Sequence, residues 1–255
     1  MLRAGPAPYP RPVREQPEQQ APPVQRLRIR YAKRGRLRFT SHRDFSRAFE
    51  RAIMRAQVPM AYSSGFNPHP RISYTGAAPT GAASEAEYVE IALAQVVDPA
   101  QVRDALVAAL PPGLDVLEVV AAGPGKLADR LQASRWVIDL PTPLPLAEQA
   151  VAAFLAAEQV PVQRMTKKGL RDFDARAAVL ALAAVERPGA AGSRLELTLR
   201  HAEPAVRPDD VVTGLASVAE LPVGPEHGGV PLLTRLAQGP LDEATGEIGD
   251  PLAYA

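Results

Sequence analysis

Two hydrophobic periods alternate along this chain, and the order in which they do so limits the folds open to it. Leu27, Ile29 and Tyr31 alternate with Arg28 and Arg30, the two-residue period of a strand with one buried face. A turn at Lys33-Arg34-Gly35 follows, and Leu37 and Phe39 continue the extended run. At Ser41 the period changes. Phe45, Ala48, Phe49, Ala52, Ile53 and Ala56 recur every three or four residues, one stripe of a helix that Pro59 ends. Ser41 is placed to cap that helix, with Asp44 three residues on. Ala61–Ser63 and Arg71–Tyr74 read as extended pieces around a loop from Gly65 to Pro70, and Val89, Ile91 and Leu93 alternate with Tyr88, Glu90 and Ala92. Asp98-Pro99 opens a second helix with Val102, Leu106 and Leu110 as its stripe, and Leu114–Val120 is a last strand.

Strand, helix, strand, strand, helix, strand is the split βαβ of a ferredoxin-like sandwich. The same order recurs in the second half. Trp136–Leu140 is a strand, and a helix runs from Pro145 to Glu158. Val160–Met165 and Phe173–Val185 supply strand material, Leu195, Leu197 and Leu199 alternate with polar residues, Pro208 opens a helix, and Val230–Leu236 closes the sheet. The alanine-rich Ala177–Val185 stretch is ambiguous, because alanine favours helix. The expected fold class is α+β, with tandem ferredoxin-like (βαββαβ) halves at 26–122 and 134–236. Residues 1–25 hold seven prolines and few large aliphatics, so a disordered tail is expected there. Residues 237–255 carry Asp242, Glu243, Glu247 and Asp250 without Lys or Arg, and read as a flexible acidic tail.

The formal net charge is only +1, yet between Arg26 and Arg71 there are twelve Lys or Arg against two acids, Asp44 and Glu50. Such local asymmetry suits a polyanion. Absence of cysteine excludes disulfides, thiolate nucleophiles and Cys-ligated clusters. No run approaches the roughly 20 apolar residues of a membrane span, and no apolar signal follows the N-terminal arginines. A cytoplasmic protein is expected, without membrane association. Neither GxGxxG nor GxxxxGK[ST] occurs, two histidines without a carboxylate at ligand spacing make a poor metal signal, and no cofactor is expected.

Arg43, Arg47, Arg51 and Arg55 recur every four residues, and so stay on one face of the first helix, opposite the phenylalanines. With Lys33, Arg36, Arg38 and Arg71 they form a candidate RNA-binding set, and Phe66 is the loop aromatic able to stack on a base. An ordinary solvated face is the plainer alternative, as is a core role for Phe66. Ser41, His42, Asp44, Ser64, Gly65, Asn67 and His69 form a candidate pocket. His69 stands between Pro68 and Pro70, a stiff presentation suited to contact or catalysis, although it could equally cap a turn. Lys167, Lys168 and Arg171 around Gly169 resemble a basic hairpin tip.

Tyr31-Ala32-Lys33-Arg34-Gly35-Arg36-Leu37-Arg38-Phe39-Thr40-Ser41-His42, the arginine-rich helix, and Ser64-Gly65-Phe66-Asn67-Pro68-His69-Pro70-Arg71-Ile72-Ser73 together resemble a bacterial family of unknown function, the radical-SAM-linked proteins. Thr80-Gly81, Glu87-Tyr88, Lys167-Lys168-Gly169 and Asp174-Ala175-Arg176 match further parts of that pattern, whereas Arg43 and Phe45 depart from its usual Leu-Asp-Leu. The resemblance implies a domain fused to, or encoded beside, a B12-binding-type radical SAM enzyme, hence a partner role. The leading expectation is an RNA-binding or adaptor protein that presents RNA to such an enzyme. Two alternatives stand beside it. One is a metal-independent RNA-processing endonuclease using His42 and His69 as base and acid. The other is a protein-docking module.

Overall fold

The computed structural model describes residues 19–166, 169–219, 221–224 and 229–254. The first unit runs β1 (Gln25–Lys33), a 3-10 turn (Gly35–Phe39), α1 (His42–Arg55), β2 (Ile72–Thr75), β3 (Ala83–Leu93), α2 (Pro99–Ala109) and β4 (Leu114–Ala121). A short α3 (Leu127–Arg130) leads into β5 (Ala133–Leu140), α4 (Leu144–Ala156), β6 (Pro161–Thr166), β7 (Gly169–Asp174), β8 (Val179–Glu186), β9 (Ser193–Arg200), α5 (Pro208–Ala219) and β10 (Leu232–Gly239). The result is a mixed α+β fold around one mostly antiparallel, eight-stranded sheet.

That sheet has the order β4-β1-β3-β10-β5-β9-β8, with β2 also on β3. Within the first unit the pairings β4-β1, β1-β3 and β3-β2 are all antiparallel, as are β10-β5, β5-β9 and β9-β8 in the second. The two units meet edge to edge where β10 runs parallel to β3, through the pairs Thr234↔Ala83 and Arg235↔Ser84. This join is possible because β3 is eleven residues long and β2 only four. β2 covers Tyr88–Ile91, which leaves the start of β3 for β10.

A register row crosses the whole sheet: Lys33, Ser84, Arg235, Trp136, Leu197 and Leu182. Paired residues share a face, so this row fixes how the helices are layered. Lys33 lies on the α1 side, where Tyr31 stacks on Phe45 with ring centroids 4.4 Å apart. Trp136, Leu197 and Leu182 lie in the core that Phe154 of α4 and Leu215 of α5 complete. Both helix pairs therefore cover the same face. On the opposite face of the first unit, Ala86 and Tyr88 pack with Leu127, Leu131 and Leu252.

Three expectations change and one ambiguity is resolved. Leu37 and Phe39 do not continue an extended run but lie in the 3-10 turn Gly35–Phe39. Residues 161–174 do not join the main sheet, because β6 and β7 pair only with each other. The ambiguous alanine-rich stretch becomes β8, since its pairing with β9 buries Val179 and Leu182 in the core, and packing outweighs alanine's intrinsic preference. The segment read as a flexible acidic tail begins inside β10 and then docks. Arg130 donates to Pro251 O at 2.8 Å and Ala253 O at 2.6 Å, and Leu252 is buried. Of the Pro-rich N-terminal segment, residues 1–18 lie outside the described residues. Gln20 N donates to Ser64 Oγ at 3.0 Å, and Val24 N donates to Leu93 O at 2.9 Å.

Phe49, fully buried beneath α1, should cost about 3–5 kcal/mol when cut to alanine, read from urea unfolding. Glu87→Ala, which would strand the buried Arg235 guanidinium at the join, should cost a similar ~3–5 kcal/mol. An Arg235→Met, Glu87→Met double variant should recover much of that loss.

Candidate nucleic-acid interface

The start of α1 follows from local chemistry. Ser41 Oγ accepts from Asp44 N at 3.2 Å and donates to Asp44 Oδ2 at 2.7 Å, so Asp44 serves the cap. Phe45, Phe49, Ala52 and Ile53 point inward. Arg43, Arg47 and Arg51 are exposed, and among the described residues none makes an ion pair or side-chain hydrogen bond. Arg55 departs from the expected row, because its guanidinium donates to Ala109 O at the end of α2. The two acids of the stretch do not neutralise the row. Asp44 is held by Ser41, while Glu50 acts on the Tyr74 hydroxyl. That hydroxyl is pushed up to about 12, chiefly by burial, with the nearby Ser46 hydroxyl opposing and the Glu50 charge adding to the rise.

Around the row the basic set divides. Arg36 is exposed, and the Arg38 guanidinium lies 4.6 Å over the ring of Phe39, itself 59% exposed. Arg38 and Phe39 line a cleft of about 420 Å³ with Thr80 and Leu233. Phe66, at 58% exposure, reaches outward from the loop before β2. Arg71 Nε donates to Tyr62 O at 3.1 Å and braces that loop. Lys33 contradicts the expectation of a surface phosphate contact. It is 5% exposed, and its ammonium donates to Ala78 O at 3.4 Å and Pro79 O at 3.3 Å. Burial lowers its pKa, against the opposing pull of Glu87. Nor does β1 present a basic outer face. Arg28 is buried against Glu90 and Arg30 sits 3.6 Å from Glu118, while Arg34, just past the strand, pairs with Glu85 and Asp115.

The proposed pocket also divides. Ser41 and His42 line a narrow cleft with Tyr31, Lys33, Phe45 and Glu87, and the His42 ring meets Tyr74 edge-on at 5.0 Å. Ser64, Gly65, Asn67 and His69 do not line that cleft. Their loop closes on itself: His69 N donates to Ser63 Oγ at 3.0 Å, and Ser63 N donates to His69 O at 2.9 Å. Lys167 and Lys168 of the expected hairpin tip lie outside the described residues.

The most concentrated polar chemistry was not among the expected site residues. Arg235 Nη2 donates to Glu87 Oε1, Nη1 to Gln238 Oε1 at 3.2 Å and Nε to Ser84 Oγ at 3.3 Å, all buried, with the guanidinium 5.4 Å over Trp136. A cleft of about 300 Å³ opens beside it, lined by Ser134, Trp136, His201, Arg207 and Arg235. One signal was present in sequence: Glu87 is in phase with the apolar Val89 and Ile91, so its burial could be read from the period.

The family model for uncharacterized proteins conserved in bacteria (DUF2344) matches residues 26–208. The chain belongs to that family. No curated protein matches it. The DUF2344 match spans β1 to the opening of α5, and so contains α1, the 63–70 loop and Glu87 but not Arg235. Membership brings no activity with it. Among the described residues no group of three or more His, Cys, Asp or Glu could hold a metal ion, and no helix is long and apolar enough to cross a membrane.

His201 gives this region a pH dependence. Trp136 Nε1 donates to Ser134 Oγ at 2.8 Å, Ser134 Oγ lies 3.0 Å from His201 Nε2, and His201 Nδ1 lies 2.8 Å from Leu131 O. The Leu131 carbonyl can only accept, which sets the proton of a neutral ring on Nδ1 and leaves Nε2 to accept from Ser134. Desolvation lowers the His201 pKa from 6.5, the Leu131 hydrogen bond opposes, and Arg235 adds to the lowering. The folded protein thus binds fewer protons here than the unfolded chain. This contribution is present above the unfolded pKa and lost as pH falls below it. The urea midpoint should drop between about pH 7 and pH 5, and His201→Gln should remove that part of the slope.

Proposed function

We propose that this protein binds single-stranded RNA along α1 and serves as an adaptor that presents the strand to a partner enzyme. The observation that carries this reading is the row Arg43, Arg47 and Arg51, exposed and without ion-pair partners among the described residues, on the helix that follows the turn carrying the exposed ring of Phe39. Cations held on a rigid helix supply phosphate contacts, and exposed rings supply sequence-tolerant stacking. The row spans eight residue steps, about 12 Å at a rise of ~1.5 Å per residue, a reach of a few phosphates along one strand.

The two strand orders, β4-β1-β3-β2 and β10-β5-β9-β8, support a reading as tandem ferredoxin-like units, the second carrying the β6–β7 hairpin as an insertion. The motif resemblance makes a radical SAM enzyme the partner class to test. Fold alone assigns neither RNA nor partner.

Fluorescence anisotropy with a short labelled RNA should show affinity falling with salt, at a log–log slope of roughly −0.7 per phosphate neutralised. The Arg47→Ala, Arg51→Ala double variant should shallow the slope by about one to two, with its circular dichroism unchanged because both side chains face water. Absence of binding at low salt, or a slope unmoved by the double variant, overturns the RNA reading in favour of protein docking. Cleavage of the RNA on a gel, lost in His42→Ala or His69→Ala, would replace the adaptor with the endonuclease.

A further inference from the structure

On the sheet face turned away from α1, the side chain of Arg28 presents an unfinished site. It is 1% exposed, its Nε donates to Glu90 Oε2 at 2.9 Å, and its Nη2 donates to Gly125 O at 2.6 Å. Nη1 is buried and has no hydrogen-bond partner among the described residues. The ring of Tyr254 lies 5.4 Å from the same guanidinium, and its buried hydroxyl also lacks a partner. Buried donors left unmade are costly, and a guanidinium N–H more so than a neutral one. Arg28 also lines a cleft of about 480 Å³ with Arg26, Ser73, Thr75, Glu90 and Lys126, the size range of small-molecule sites. The register row Arg28, Glu90 and Ser73 forms its floor, and the loop after β4 forms its wall.

We infer that this cleft binds a small phosphate monoester, with its phosphoryl group seated by Arg28. Charge selects the ligand class. Arg26, Arg28 and Lys126 face one carboxylate, Glu90, which already bridges Arg26 at 3.1 Å and Arg28. Two positive charges remain, matching the nearly dianionic monoester at neutral pH, whereas a monocarboxylate would leave one unbalanced. The hydroxyls of Ser73 and Thr75 add donors for a group with three terminal oxygens. Because α1 packs on the other face, this site is separate from the proposed RNA row.

The test is titration of the full chain with ribose 5-phosphate, followed by calorimetry and by the ligand's phosphorus resonance, with inorganic phosphate, acetate and ribose as comparisons. Ribose 5-phosphate should bind saturably, ahead of inorganic phosphate, while acetate and ribose should bind at least about tenfold more weakly. Lys126→Ala with Ser73→Ala, both at exposed positions, should weaken binding by about tenfold. Arg28→Lys should weaken it further, and Arg47→Ala, Arg51→Ala should leave it unchanged. No saturable heat up to about 10 mM ligand, equal binding of acetate, or indifference to the Lys126 and Ser73 substitutions would overturn the assignment.

Discussion

The fold depends on a charged contact at its thinnest point. Only two residue pairs of β10 and β3 are in parallel register, yet this short seam joins two four-stranded arrangements into one sheet. The Glu87–Arg235 pair sits on it, 2% and 4% exposed at its side chains, with Gln238 Nε2 donating to Ala86 O at 2.6 Å and Gly76 O at 3.2 Å. Burying two charges costs several kcal/mol, so such a pair adds little net stability over a well-packed apolar contact. Its use here is register. An apolar seam of two residue pairs could slip, whereas a guanidinium that must meet Glu87, Ser84 and Gln238 together accepts one alignment. The same contact sets the clefts on either side of the 76–79 loop, because Glu87 accepts from Ala78 N at 3.1 Å while Arg235 lines the His201 cleft.

Elements with one buried face were legible in the sequence, and elements defined by distant partners were not. The α1 cap, its buried stripe and its end near Pro59 follow from neighbours within four residues, and the observed His42–Arg55 helix matches them. β8 was ambiguous because its strand state depends on β9 and on α4, contacts that no local window contains. The C-terminal segment misled for a related reason. Its acidic residues suggested solvent, but Leu252 and the carbonyls of Pro251 and Ala253 decide its position through α3, more than a hundred residues upstream.

The candidate site was legible as composition and less so as geometry. Alternation along β1 placed Arg28 and Arg30 on an outer face correctly, but a face turned from the first core need not meet water. α3 and the C-terminal segment cover part of it, and Glu90 and Glu118 from neighbouring strands answer the arginines. Counting charges within residues 26–71 therefore overstated the free positive surface, since the compensating acids come from β3 and β4. Arg43, Arg47 and Arg51 escape this correction because their side chains are exposed and, among the described residues, meet no acid, whereas Arg55 reaches Ala109 O at the end of α2.

The sheet then separates two cationic surfaces of different kind. On the helical side, the cations of α1 are exposed and repeat at helical spacing, which suits an extended polyanion whose affinity depends on ionic strength. On the other side, Arg28 is desolvated and fixed by Glu90 and Gly125, which suits a single compact anion recognised by directed hydrogen bonds and screened little by salt. Salt dependence consequently tells the two apart within one protein. A ligand of the α1 row should be released by salt more steeply than a ligand of the Arg28 cleft, because every cation of the row is exposed whereas the cleft's central guanidinium is buried and screened much less.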